Sequence, residues 1–405
     1  MLYTAYQAQA DLMAPVRMAS SILAGAIGHL PGALRADPLV RRSAATAELV
    51  SLWGLSHSRP PFGIDSVVVD GEEVAVTERA VHTTPFATLL RFEKDTAARG
   101  PAVLLVAPLS GHFATLLRAT VRTMLPDHDV FLTDWHNARD VPVSAGAFGL
   151  DDYTEHLIEF LEVMGPGAHV VAVCQPCVPA LAATALMAED DHPCEPRSLT
   201  LMAGPIDGRI NPTEVNCLAT SRPLSWFERN VISSVPLRFR GAGRRVYPGF
   251  VQLASFMRMS PERHAKALAG LWDDVARGDL ERAVKTRAFY EEYFAVLDLT
   301  AEFYLETVSA IFQEHLLARG LLDVRGRRVD PAAIRRTSLL TIEGERDNIC
   351  SVGQTAAAHA LCTSLRPAQR RQHLAAGVGH YGVFSGSRWE REVYPLLRTM
   401  ILAAS

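Results

Sequence analysis

Three residues of this 405-residue chain are of the types that carry out acyl transfer, and they occur in the order nucleophile, acid, base: Cys174, Asp347 and His380. A thiolate is a stronger nucleophile than an alcohol, an imidazole can take and return its proton, and a carboxylate can fix the imidazole's tautomer. Each of the three follows a stretch that reads as a strand. Cys174 ends the β-branched run HVVAV (His169 to Val173) and precedes a helical pattern from Val178 to about Glu189. Asp347 lies in a polar turn after SLLTI (Ser338 to Ile342), and His380 lies in the Gly-rich AGVGHYG after a strand around Gln372 to Ala375. With this set, His380 takes the thiol proton, Asp347 orients the ring, Cys174 attacks an ester carbonyl, and water then releases the acid.

Two other residues compete for these roles. Cys177 also has flanking prolines, but it lies three residues beyond the apolar run, so register favours Cys174. Asp207, after the strand Ser198 to Ala203, is an alternative acid. A tetrahedral oxyanion needs backbone donors, for which Gln175, directly after the nucleophile, and Leu109 or Ser110, in the loop after Ala102 to Ala107, are the candidates. His112 in that loop either touches substrate or braces the loop; with Cys177 and Tyr381 it completes the candidates for substrate contact. Asp134 and His136 sit at a strand's C-terminal end, a position that by itself is a weak signal.

The elements needed to hold this set are visible in the hydrophobic pattern. Residues 66–93 read as a hairpin around Asp70-Gly71 followed by a further strand, so the sheet starts antiparallel. AVLLVA (Ala102 to Ala107), DVFLTDW (Asp129 to Trp135), HVVAV, Ser198 to Ala203 and SLLTI then alternate with helical patterns, as in a mostly parallel, doubly wound sheet. The strand, cysteine turn and helix at 169–189 match the nucleophile elbow of an α/β-hydrolase, with Cys where G-x-S-x-G has Ser. From Gly208 to about Thr337 the pattern turns helical and rich in aromatic residues, with no clear buried strand. We expect an α/β-hydrolase fold divided into a first core part with an N-terminal helical segment (1–207), a helical cap (208–337) and a second core part (338–405). The cap's aromatic residues form either its own core or the lining of an apolar acyl channel. A helix is expected from Ser351 to Ser364, and an amphipathic one from Glu390 to Ala403.

Composition narrows the function classes. At 48% hydrophobic and 21% charged residues with a net charge of -4, the chain reads as an ordinary globular protein, and its short Arg-rich segments do not suggest a nucleic-acid partner. Six cysteines in this length make no disulfide framework, and Cys174-x-x-Cys177 lacks a second pair at zinc spacing, so no metal is expected. The N-terminal segment has no basic region before its apolar residues and is interrupted by Asp11 and Arg17, which argues against a signal peptide or an integral membrane span. Leu2, Tyr6, Met13, Met18, Ile22, Leu23 and Ile27 instead suggest a helix, broken near Pro15, that packs on the core, meets a second copy in a homo-oligomer, or anchors the chain to a hydrophobic surface.

Beyond these single features, the chain resembles the intracellular polyhydroxyalkanoate (polyhydroxybutyrate) depolymerases along nearly its whole length. The matching segments include MLYTAYQAQ, PLSGHFATLLRATV, LPDHDVFLTDWHNARDVP, LDDYTEHLIEFLE, AVCQPCVPALAA, YPGFVQLASFM and EEYFAVLDLTAEFYLETV, followed by GERDNICSVGQTAAAH and GVGHYGVFSGSRW. The resemblance implies a Cys nucleophile with its Asp and His at Cys174, Asp347 and His380, and no metal or organic cofactor. It further implies cytoplasmic hydrolysis of storage-granule polyester to 3-hydroxybutyrate and short oligomers, with the granule surface as partner and a polymeric or small ester as substrate. Cys177 stands where some relatives are expected to carry Thr. Relatives that use coenzyme A for thiolysis make a transferase the alternative. A polyester-building synthase is disfavoured by Ala172 and Pro176, where Gly is expected, and a non-catalytic granule-surface protein by the intact Cys, Asp and His.

Overall fold

A computed structural model describes residues 2–97, 99–259 and 261–405. The chain begins with α1 (Leu2–Gly28), α2 (Gly32–Arg35) and α3 (Pro38–Leu52), the last capped by Asp37, which accepts from the Leu39 and Val40 amides. The expected break at Pro15 is absent. Proline removes one backbone donor, and at this position both Pro15 and Asp11, four residues back, are exposed, so water can satisfy the freed carbonyl. Only Tyr3 and Ile27 of α1 are buried, and the helix is long and apolar enough to cross a membrane by length and composition. Its partner is α3, which packs in turn on α10 and α11 of the 208–337 segment; the N-terminal helices therefore sit with that segment rather than with the first part of the core.

The sheet opens with the hairpin β1 (Ser66–Val69) and β2 (Glu72–Thr83), whose turn places both Asp70 and Gly71 at positive φ, as a two-residue hairpin of this hand requires. It continues with β3 (Ala87–Lys94), β4 (Ala102–Val106), β5 (Asp129–Trp135), β6 (His169–Val173) and β7 (Ser198–Met202). Between these strands run α4 (Arg118–Met124), α5 (Leu150–Met164) and α6 (Cys177–Glu189). Nearly every residue of α6 is buried, and all of β6 is, which explains the absence of polar alternation in both.

After β7 the chain leaves the sheet. It forms α7 (Glu214–Thr220), α8 (Leu224–Val231), β8 (Ser233–Ser234), β9 (Arg245–Tyr247), α9 (Gly249–Met259), α10 (Pro261–Arg277), α11 (Leu280–Tyr293), β10 (Leu299–Thr300) and α12 (Ala301–Glu306). A π-helical turn and the small hairpin β11 (Asp323–Val324) and β12 (Arg327–Arg328) follow. Contrary to expectation this segment does hold buried strands: β10, β9 and β8 form an antiparallel sheet with Val246 and Leu299 inside. Two- and three-residue strands are too short for period-two alternation to register.

The chain rejoins the sheet as β13 (Ser338–Gly344) and, after the short α13 (Ala358–Leu361), β14 (Arg370–Ala375), and closes with α14 (Gly386–Arg388) and α15 (Tyr394–Ala404). The nine strands are ordered β1-β2-β3-β5-β4-β6-β7-β13-β14, antiparallel as far as the β3–β5 pair and parallel beyond it. This is the α/β-hydrolase arrangement. Most of the helix expected over Ser351 to Ser364 is instead a series of turns. The buried Glu343 carboxylate accepts from the amides of Gly353 (2.9 Å), Thr355 (2.8 Å) and Ala356 (3.1 Å), and those contacts hold the backbone out of helical geometry until Ala358.

Candidate active site

Cys174 is the first residue after β6 and has φ +67°, a left-handed backbone that costs a non-glycine residue energy and is forced here by the turn between strand and helix. Two hydrogen bonds hold the turn: the Cys174 amide donates to Met202 O (2.7 Å), and the Cys177 amide to Cys174 O (3.1 Å). The flanking Ala172 and Pro176 do not supply the room that Gly provides in G-x-S-x-G; Gly204, just past the neighbouring β7, does. A Cβ there would stand 2.2 Å from Cys177 Sγ and 2.6 Å from Cys174 O. Thr355 Oγ1 both accepts from the Gly204 amide and donates to its carbonyl, at 2.9 Å each, which fixes the elbow to the turn that carries Asp347.

Asp347 is buried, and its Oδ1 accepts from the amides of Ile349 (2.8 Å) and Cys350 (2.9 Å). Its Oδ2 accepts from Nδ1 of the buried His380 at 2.7 Å, so Nε2 is the ring atom turned to the thiol. Burial opposes a charge on His380, but the Cys174 thiolate and the Asp347 carboxylate outweigh it and push the imidazole up to about 10. At neutral pH the ring of His380 therefore carries a proton on both nitrogens. Asp207 does not compete for this role, because Arg209 Nε and Nη2 grip its two oxygens at 2.8 Å each.

Cys177 is buried in the core, with Sγ on Ala172 O (3.4 Å) and Met202 O (3.7 Å), and burial raises its thiol well above the ordinary range. It is in no position to contact substrate. It is the first residue of α6, and one step of helix turns its side chain inward. His112 is buried as well. Its Nε2 meets Tyr293 O at 3.1 Å, its ring packs on Phe256 and Tyr293, and burial holds its pKa down at about 4. Of the two roles weighed for it, bracing is the one its contacts serve, and the Leu297 amide on Gly111 O (3.0 Å) ties the same loop to the segment above.

The loop after β4 is further fixed at its root, where Trp135 Nε1 (2.9 Å) and the Tyr153 hydroxyl (3.0 Å) both donate to Ala107 O. Of the oxyanion candidates, the amides of Gln175 and Ser110 have no partner among the described residues, whereas the Leu109 amide donates to Gln175 Oε1 at a long 3.4 Å. Gln175 Nε2 is buried and makes no hydrogen bond. Asp134 and His136 are scaffold: the former takes Arg59 Nε at 2.7 Å, and the latter is held between Pro85 O and Thr88 Oγ1.

A cleft of about 550 Å³ opens beside His380 and includes Tyr381 in its wall. Its other walls are Phe256, Met259, Phe289 and Tyr293, among the residues of the 208–337 segment expected to form its core or line an acyl channel, together with Arg263, His264 and Arg346, which the sequence did not single out. The aromatic richness of that segment was the available signal, and the structure divides it between the segment's own core (Tyr290) and this cleft, with Tyr293 shared by both. Among the described residues no group of three His, Cys, Asp or Glu side chains is disposed to hold a metal ion.

Residues 203–405 match the family described as "PHB de-polymerase C-terminus", a stretch that includes Asp347 and His380 and starts after Cys174. No curated protein matches the chain. Similar solved structures include 2-hydroxy-6-oxo-6-phenylhexa-2,4-dienoate hydrolase from Rhodococcus sp. strain RHA1, at 13% identity over 81% of this chain and 99% of that one, with a TM-score of 0.45. A meta-cleavage product hydrolase from Pseudomonas fluorescens IP01 aligns at 14% identity over 84% and 98%, TM-score 0.42. A thermophilic esterase from Thermogutta terrifontis aligns at 12% over 83% and 97%, TM-score 0.41.

Proposed function

The chain belongs to the PHB depolymerase family, and from that premise we propose that it hydrolyses the ester bonds of storage poly(3-hydroxybutyrate) through an acyl-Cys174 intermediate. The observation that carries this reading is the left-handed Cys174 at the end of β6, facing a His380 that is held by Asp347 at 2.7 Å. The thiolate adds to the ester carbonyl, and the oxyanion lies against the Gln175 amide and the β4 loop. The C–O bond breaks, and the leaving alkoxide takes the proton from His380 Nε2. Water then gives a proton to the neutral imidazole as it attacks the thioester, and the acid and the thiolate are released.

A polyester surface is uncharged and insoluble, so its hydrolase must adsorb to it. The exposed Leu12, Met18 and Ile22 of α1 support that role for the N-terminal helix, on the reading that the enzyme works at granules in the cytoplasm. The aromatic walls beside His380 suit a chain of methyl-bearing ester units.

Mass spectrometry of enzyme trapped with a 3-hydroxybutyrate oligomer tests the chemistry directly. Acylation is expected on the peptide that carries Cys174, to persist in Cys177→Ala and to vanish in Cys174→Ala. Acyl groups on Cys177, or turnover unaffected by Cys174→Ala, would refute the mechanism. Release of a coenzyme A thioester in place of the free acid would reassign the chain to acyl transfer.

A further inference from the structure

We infer that the cleft beside His380 is a carboxylate-reading subsite: Arg263 and Arg346 hold the free acid end of a hydroxyacid oligomer, so the enzyme favours bonds next to that end. The inference rests on the hydrolase reading above. The two arginines come from different elements, Arg263 from α10 and Arg346 from the turn directly before Asp347, and both line the cavity that His380 opens into. Neither guanidinium has a hydrogen-bond or ion-pair partner among the described residues, and no Asp or Glu lines the cavity. Of the two carboxylates that flank Arg346 in the chain, Glu345 accepts from the Gly377 amide at 2.6 Å and Asp347 from His380 and two backbone amides.

Other arginines beside the 208–337 segment have acidic partners: Arg118 pairs with Glu292, and Arg287 with Glu48 and Glu291. The Arg263 charge also reaches the aromatic wall. Burial pushes the phenols of Tyr293 and Tyr381 up, and Arg263 pulls both partly back. An uncharged ester chain packs on Phe256, Met259, Phe289 and the tyrosines, and it offers two unpaired guanidinium groups only neutral carbonyl acceptors, without a countercharge. A carboxylate does, since arginine binds it through paired, charge-assisted hydrogen bonds.

The chemistry also fixes which fragment carries the charge. Cleavage leaves the hydroxyl-terminated fragment as the acyl group on Cys174. The fragment that departs as an alcohol, taking its proton from His380, ends in the oligomer's only carboxylate. The arginines stand on the His380 side of the site, where that alcohol fragment leaves. Interior bonds of a polymer place no carboxylate there, so release of short acids from chain ends is preferred.

The test compares kcat/KM for the free acid and the methyl ester of a 3-hydroxybutyrate trimer, in wild type and in the Arg263→Gln/Arg346→Gln double variant, at low ionic strength. Charge-assisted contacts predict a ratio of acid to ester of about tenfold or more in wild type, carried by KM, shrinking with salt and falling to about one in the variant. A wild-type ratio of one overturns the inference without need of any variant, and so does a variant that keeps the wild-type ratio. If capping the acid has no effect but coenzyme A inhibits wild type competitively and not the variant, a phosphate is the anion read and the carboxylate assignment falls. If wild type cleaves neither trimer, the hydrolase reading itself fails, an outcome distinct from equal cleavage of both.

Discussion

Gly204→Ala is the most searching perturbation of the elbow, because the residue changed lies thirty positions from Cys174 and outside the Cys174 turn itself. The new Cβ would stand 2.2 Å from both Cβ and Sγ of Cys177 and 2.6 Å from Cys174 O. Carbon atoms rest at about 3.5–4.0 Å, so the overlap is roughly 1.5 Å. Rotating a side chain cannot relieve it: the Cys177 Cβ is fixed to the first turn of α6, and the other atom is backbone. The end of β7 must part from the elbow by about the length of the overlap, at a cost of about 1–3 kcal/mol in stability. Misplacing a nucleophile by ~1 Å costs about 10²-fold in rate. Hydrolysis of a short acyl ester and the rate of Cys174 alkylation by iodoacetamide, read beside a thermal melt, should show kcat/KM down about a hundredfold with a cooperative melt retained. Adding Cys177→Gly removes two of the three contacts and should recover part of the loss. Wild-type kcat/KM and melting temperature in Gly204→Ala would refute the claim that this glycine makes room for the elbow.

His380 sits near 10 in the folded protein against an ordinary 6.5, so the stability it contributes is complete below about pH 6.5 and is lost as pH rises through about 10. The difference in urea midpoint between wild type and His380→Asn should shrink across that window, and a constant difference would contradict the assignment. Asp347→Asn removes one of the charges that raise the imidazole and should bring the upper edge of the window down. Tyr3→Phe deletes the hydroxyl that donates to the buried Asp298 at 2.6 Å; the loss should cost about 1–3 kcal/mol and open α1 to limited proteolysis, and an unchanged digestion pattern would count against the anchor. Replacing Leu12, Met18 and Ile22 with Gln should abolish co-sedimentation with polyester granules while sparing hydrolysis of a soluble ester; full retention on granules would remove α1 from that role.

What could be read from sequence was whatever a continuous run of residues determines. HVVAV ends where β6 ends, so Cys174 could be placed at the elbow and Cys177 set aside by counting, and the strand ends at SLLTI and near Ala375 located Asp347 and His380. What could not be read depends on residues far apart along the chain. The space around Cys174 comes from Gly204, which follows a different strand, so the missing glycines beside the cysteine say nothing about whether the turn can form. A helix over 351–364 is compatible with its residues, but Glu343 captures three of its amides. Arg263 and Arg346 are ordinary surface arginines in sequence, and only the fold brings both to His380. The continuity of α1 past Pro15 reflects exposure, which the apolar pattern did not report.

The bond between Tyr3 and Asp298 also sets a clock. The two residues are 295 positions apart, and at ~5–20 residues per second a ribosome needs about 15–60 s to travel from one codon to the other. During that interval α1, with Leu12, Met18 and Ile22 on its surface, has been made while the residue that will tether it has not. Through that interval α1 has its early partner α3, and Leu12, Met18 and Ile22 on its exposed face are open to any hydrophobic surface close by. A polysome working beside a polyester inclusion would thus offer α1 that surface before His380 has been synthesised.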